Sequence, residues 1–184
     1  MSRLLEDYVG IVAEDGIKTN KNAEFGGSLT VTGAITAPSG ITGPVAGALT
    51  PTSYKVPTEV VIATNVIDAA ETGKTFFLNS ATAFVSTLPA PAAGLNFKFI
   101  MGATGPSGGN HTVVTAASAN IIAGNLLYGP TDDAGTVDAD ADTLTFVASQ
   151  AVPGDFVEVI SDGTNYFVVG VAAVAEGITI TKAG

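Results

Sequence analysis

After Pro57 the chain breaks into short apolar or alternating runs separated by turn-forming residues, a rhythm that leaves room for little except β-structure. The runs are EVVIAT (59–64), KTFFLN (74–79), AFVSTL (83–88), NFKFIM (96–101), HTVVTA (111–116), LTFVAS (144–149), DFVEVIS (155–161) and NYFVVGVA (165–172), with ITITK (178–182) as a last one. Between them stand Glu71-Thr72-Gly73, Pro89-Ala90-Pro91, the glycine-rich stretch 105–109, Pro153-Gly154 and Ser161-Asp162-Gly163. Asp-Gly accepts the positive φ of a tight turn, so SDGTN (161–165) predicts a hairpin. No helix of any length is evident. The expected fold is all-β, a jelly-roll-like β-sandwich over residues 57–184.

Composition says where such a chain can be at home. Charged residues are 13% of the 184, against about 25% in ordinary globular chains, and mean hydropathy is +0.42. Apolar surface on this scale has to be hidden. A membrane span is not expected, because the longest nearly apolar run, Tyr166 to Ala175, is far short of the roughly 20 residues a helix needs to cross. Glu6 and Asp7 interrupt the place where a signal peptide keeps its apolar stretch, which predicts a chain not exported by that route. The remaining place to hide apolar surface is another protein, most simply further copies of the same chain. The net charge of −10, with seven scattered Lys and Arg, argues against nucleic acid. The absence of cysteine excludes disulfides and thiolate metal sites.

The first 56 residues read differently from the rest. Residues 1–24 form an apolar arm whose Leu4, Leu5, Tyr8, Val9, Ile11 and Val12 are the expected anchoring set. Their spacings of three and four suit two helical turns, while Gly10 and its β-branched neighbours suit a strand. Either form is marginal alone, so the arm docks on a partner or packs on its own domain. From Glu24 to Lys55 no charged residue intervenes. Within residues 25–56, SLTVTGAIT alternates and Ile-Thr pairs recur at Ile35 and Ile41 among glycines. Strands so brief need neighbours, and three chains side by side supply them. Leu29, Val31, Ile35, Ile41, Val45 and Leu49 are the expected trimer contacts, the alternative being a flexible linker.

Little in the sequence points to chemistry. Asp138, Asp140 and Asp142 alternate, so an extended segment would turn their carboxylates to one side, near Asp132 and Asp133, and a hard cation such as calcium is conceivable. The EF-hand pattern fails, with Thr143 at the sixth position and Ser149 at the twelfth. A solvated acidic loop is the plainer reading. His111, the only histidine, lacks a nucleophile signature and reads as a turn residue at a loop-to-strand junction. The stretch 102–109 lacks the Gly-Lys-Ser/Thr ending of a phosphate loop. No cofactor is expected, and a non-enzymatic role follows.

EFGGSLTVTGAIT (24–36) resembles the openings of trimeric fibre and head-fibre proteins of tailed bacteriophages. The later block is similar to a β-rich module recurring in phage virion proteins. It carries Leu88-Pro89, Gly94, Phe97, Ile122 with Gly124, and then Ser161, Asp162, Gly163, Asn165, Tyr166, Val168 and Gly170. Tyr166 stands where the module often has tryptophan. The resemblance implies a homotrimeric structural protein of the virion, and the small size favours a capsid decoration (cement) protein. Such a protein is made in the host cytoplasm and sits on the outer capsid surface, with the major capsid protein as partner and neither nucleic acid nor membrane involved. A short tail fibre or receptor-binding protein is the alternative, and a carbohydrate-binding module a further one.

Overall fold

In a computed structural model, the structure describes residues 55–129 and 137–182. All lie in the second of two units into which the chain divides, Met1–Thr50 and Pro51–Gly184. The expected anchoring arm and trimer contacts therefore fall outside the described residues.

The alternating runs become strands. Seven form one sheet, in the order β1 (Thr58–Val61), β3 (Thr75–Leu78), β5 (Asn96–Met101), β10 (Phe156–Ser161), β11 (Tyr166–Ala172), β7 (Ile122–Tyr128) and β8 (Val137–Ala141). Five form the other, in the order β12 (Ile178–Thr181), β9 (Thr143–Phe146), β6 (His111–Val114), β4 (Phe84–Thr87) and β2 (Asn65–Val66). The only helical turns among the described residues are two short 3-10 turns, Ala69–Glu71 and Ala116–Ser118. No helix of the described residues is long and apolar enough to cross a membrane.

The all-β expectation holds, and the strand order departs from a jelly roll. A jelly roll is built of antiparallel Greek keys. Here the first six strands go alternately to one sheet and the other, so β1, β3 and β5 are parallel neighbours in the large sheet. In the small sheet β2, β4 and β6 are likewise parallel. Parallel neighbours need a crossover between them, and each crossover here runs through a strand of the opposite sheet. The winding then closes antiparallel. In the small sheet β9 lies beside β6 and β12 beside β9. In the large sheet β10 lies beside β5 and turns back as β11, which is parallel to β7.

The inner faces of both sheets meet in one core. Every second residue of β5 and β10 is buried: Phe97, Phe99 and Met101, then Val157 and Val159. Phe76 of β3 stacks on Phe99 with ring centroids 5.2 Å apart. Phe84, Val113, Leu144 and Phe146 face them from the small sheet. Each such side chain stabilises the fold by about 1.5–3 kcal/mol on burial. Asp155 is buried as well and satisfied, accepting the amides of Val152 (2.9 Å) and Ala173 (2.8 Å) and so tying the approach to β10 to the end of β11.

Candidate functional site

With one face of the large sheet committed to the core, the period of two throws the intervening residues outward. In register across six strands, the outward positions Val60, Phe77, Ile100, Phe156, Val171 and Leu127 form one uninterrupted apolar row. Val60 and Leu127 at its ends are 58% and 59% exposed. The next row is Thr58, Thr75, Lys98, Glu158, Val169 and Asn125. A third contains Asn96, Ile160, Phe167 and Ala123, with Ile160 53% and Phe167 49% exposed. Scattered surface apolar residues need no explanation, whereas an unbroken apolar row with Ile160, Phe167 and Val169 exposed beside it is a candidate interaction surface.

Two features shape this face. At its centre Lys98 Nζ lies 2.8 Å from Glu158 Oε1 and 4.4 Å above the Phe156 ring, so the cation is held over the apolar row. Beside it opens a hollow of about 410 Å³, bounded by Val56, Gly73, Thr75, Asn96, Lys98 and Ile160 among others. Lys74 at its edge is paired with Glu59 (2.8 Å) and also with Glu71. The bonds to Glu59 and Glu71 hold the Lys74 ammonium above the usual lysine range, and Lys74 in turn draws the Glu71 carboxyl below the usual carboxylate range.

The residues of the later block that were singled out for a resemblance are brought together, and their work is architectural. Ile122 pairs with Tyr166, Gly124 with Val168, and Leu126 with Gly170 along β7 and β11. A Cβ on Gly124 would stand 2.0 Å from the Val168 carbonyl oxygen, so the glycine permits the close approach. The buried Tyr166 hydroxyl donates to the Pro89 carbonyl oxygen at 2.9 Å, which fixes the Leu-Pro turn of the other layer. Burial pushes the Tyr166 phenol up, so it stays a donor. In the hairpin turn Asp162 Oδ1 accepts the amides of Thr164 (2.8 Å) and Asn165 (2.7 Å), and Gly163 sits at φ 105°. The Asn165 and Thr164 amides hold the Asp162 carboxyl below its usual value.

The residues with a possible chemistry are placed as follows. Asp140 and Asp142 lie at the end of β8 and just beyond it, and do not share an environment. Asp140, at φ 65°, is exposed, whereas Asp142 is buried and accepts the Thr143 hydroxyl at 2.8 Å. The positive φ breaks the alternation on which the carboxylate spacing argument relied. The Asp138 side chain lies outside the described residues, and among those described no three His, Asp or Glu side chains gather to hold a metal. His111 is no turn residue: it opens β6, fully buried, its ring stacked on Phe84 at 4.0 Å. Its Nε2 lies 3.2 Å from the Thr82 carbonyl oxygen, while Nδ1 has no hydrogen-bond partner among the described residues. Burial depresses its pKa below the usual histidine value, which keeps the ring neutral. The outer rows escaped sequence reading, although the apolar residues that alternate with the core positions in FVEVIS and YFVVGVA were their signal.

Comparison with known protein families, curated proteins and solved structures finds no match.

Proposed function

We propose that the protein is a structural component of a bacteriophage virion, a capsid decoration protein that acts by contact and performs no chemistry. The observation that carries this reading is the apolar row on the outer face of the large sheet. A lone molecule gains nothing from such a face, whereas a molecule built into a particle covers it. The likeness of the ladder and hairpin residues to virion modules supplies the setting. In this reading residues 25–56 join three copies, residues 1–24 hold the major capsid protein, and the particle's outer surface is the location. Three weak attachments made by one trimer act together through effective concentration and bind tightly.

Purified protein mixed with expanded, undecorated heads tests it. Co-sedimentation with the heads, lost when residues 1–24 are deleted, is the expected result. Unchanged binding after the deletion removes the arm from the account. Antibody labelling of the tail in negative-stain images replaces the capsid reading with a tail-fibre or receptor-binding one.

A further inference from the structure

We infer that the outer face of the seven-stranded sheet docks on the same face of a second copy, about a twofold axis running along the strands between β5 and β10. The inference rests on the reading of this face as an interaction surface and names its occupant.

Self-complementarity is the argument. Six strands carry the rows, in the order β1, β3, β5, β10, β11, β7, and the axis between the two central strands exchanges the halves. In the apolar row it sets Ile100 over Phe156 of the second copy, Phe77 over Val171 and Val60 over Leu127. In the next row it sets Lys98 over Glu158 of the second copy, and Glu158 over Lys98, so the only two charges of the three rows meet their opposites. Both remain available, with side chains 35% and 49% exposed. In the third row Ile160 falls over Asn96. Phe167 falls over β3 at the level of Gly73, whose amide bonds to Asn96.

Shape agrees with charge. Gly73 and Thr75 bound the hollow of about 410 Å³, and the side chains that the axis brings over them are Phe167 and Val169, 49% and 55% exposed. A knob on one half of the face thus meets a hole in the other half, twice by symmetry. The size is sufficient. Six strands about 4.8 Å apart and three rows about 6.7 Å apart give a patch of roughly 600 Å² in projection, the low end of what each partner contributes to a stable interface. Sheets packed face to face lie about 10 Å apart, within reach of Lys and Glu side chains. The outer face of the small sheet has no such row: Thr179, Thr145 and Thr112 run across it and end at Val85, with Val66 exposed at the edge. The uninterrupted apolar row is therefore particular to the large sheet.

Charge reversal in the full-length protein gives the test, with mass read by sedimentation equilibrium. Lys98→Glu and Glu158→Lys, each alone, place like charges inside one copy and across the axis. Each is expected to raise the dissociation constant of this contact about tenfold or more and to halve the assembled mass. An equimolar mixture of the two variants restores the pairing across the axis but not within either copy, so the mass is expected to recover. Phe167→Ala, which empties the knob, is expected to weaken association without shifting the thermal midpoint of a dilute sample. Failure of the mixture to recover overturns the inference. The count of chains separates it from the trimer: six falling to three supports both, and two falling to one supports the face alone. Three chains unaffected by the substitutions leave the trimer and assign the face to a different protein. One chain throughout overturns both.

Discussion

Gly124→Ala is the sharpest probe of the ladder that joins β7 to β11. A methyl group there would lie 2.0 Å from the Val168 carbonyl oxygen, 2.7 Å from its carbonyl carbon and 2.8 Å from its Cβ. Ordinary contact begins near 3.4 Å, so the strands must part by about 1.4 Å against a normal spacing of about 4.8 Å. Backbone cannot swing aside as a side chain does. Two or three ladder hydrogen bonds around the site are lost, at about 1 kcal/mol each. Overpacking strain of about 1–3 kcal/mol adds to this as Ile122 and Leu126 are levered off the core. The sum is about 3–6 kcal/mol, which lowers the midpoint of a chain of this size by roughly 6–24 °C. Gly154→Ala is the control, since Gly154 has φ 98° and open space within 4 Å of a Cβ. It costs only the left-handed conformation, about 1–2 kcal/mol. Thermal unfolding followed by circular dichroism on both variants decides. A midpoint for Gly124→Ala no lower than that of Gly154→Ala refutes the steric argument.

Other expectations follow from single groups. Tyr166→Phe removes the donor to the Pro89 carbonyl and leaves that oxygen without its bond, a loss of about 1 kcal/mol that chemical denaturation will measure as a lower midpoint at unchanged slope. His111 is the only histidine, and burial lowers its folded pKa, so the unfolded chain takes up the proton first. Its share of stability is complete above about pH 6.5 and is lost as pH falls from there toward the folded value. Urea midpoints between pH 7 and 5 should show this slope, and His111→Phe should flatten it. Asp162 has a folded pKa below its usual value, so its contribution is present above about pH 4 and lost as pH falls through the folded value. Asp162→Ala should lower the melting temperature at neutral pH and leave a shallower acid limb.

The sequence disclosed most strands because alternation is a local signal. NFKFIM turns Phe97, Phe99 and Met101 inward and FVEVIS turns Val157 and Val159 inward, at every second position. Strand β7 is absent from the runs read as strands because Gly124 and Asn125 interrupt its apolar pattern. The glycine is there because a neighbouring carbonyl leaves no space, which only tertiary structure reveals. Strand β8 was hidden because alternating aspartates read as a solvated loop. The partners of each strand were not legible either. Alternation fixes which face a residue occupies, not which strand lies beside it, and the parallel winding of β1 to β6 follows from a chain that changes sheets at each step. His111 misled for a similar reason: a lone histidine beside Gly-Gly-Asn looks like a turn, yet its period with Val113 places it inside.

The same limit explains why the surface was foreseen in kind and not in place. A charge-poor, hydropathic chain has to hide apolar area against other proteins, and the uncharged stretch before Lys55 is where composition alone points. The β-body alone already carries such area. In β10 and β11 the buried Val157, Val159, Tyr166, Val168 and Ala172 supply the core. Ile160, Phe167 and Val169, which alternate with them, stay exposed and do nothing for the fold of one chain. A sheet that had only to face water would carry polar residues at these positions. Selection for solubility alone removes such residues at little cost, because substitutions on an exposed strand face seldom change stability by more than about 0.5 kcal/mol. An apolar row in register across six strands, with Ile160, Phe167 and Val169 beside it, is what an interface requires and what a free surface discards.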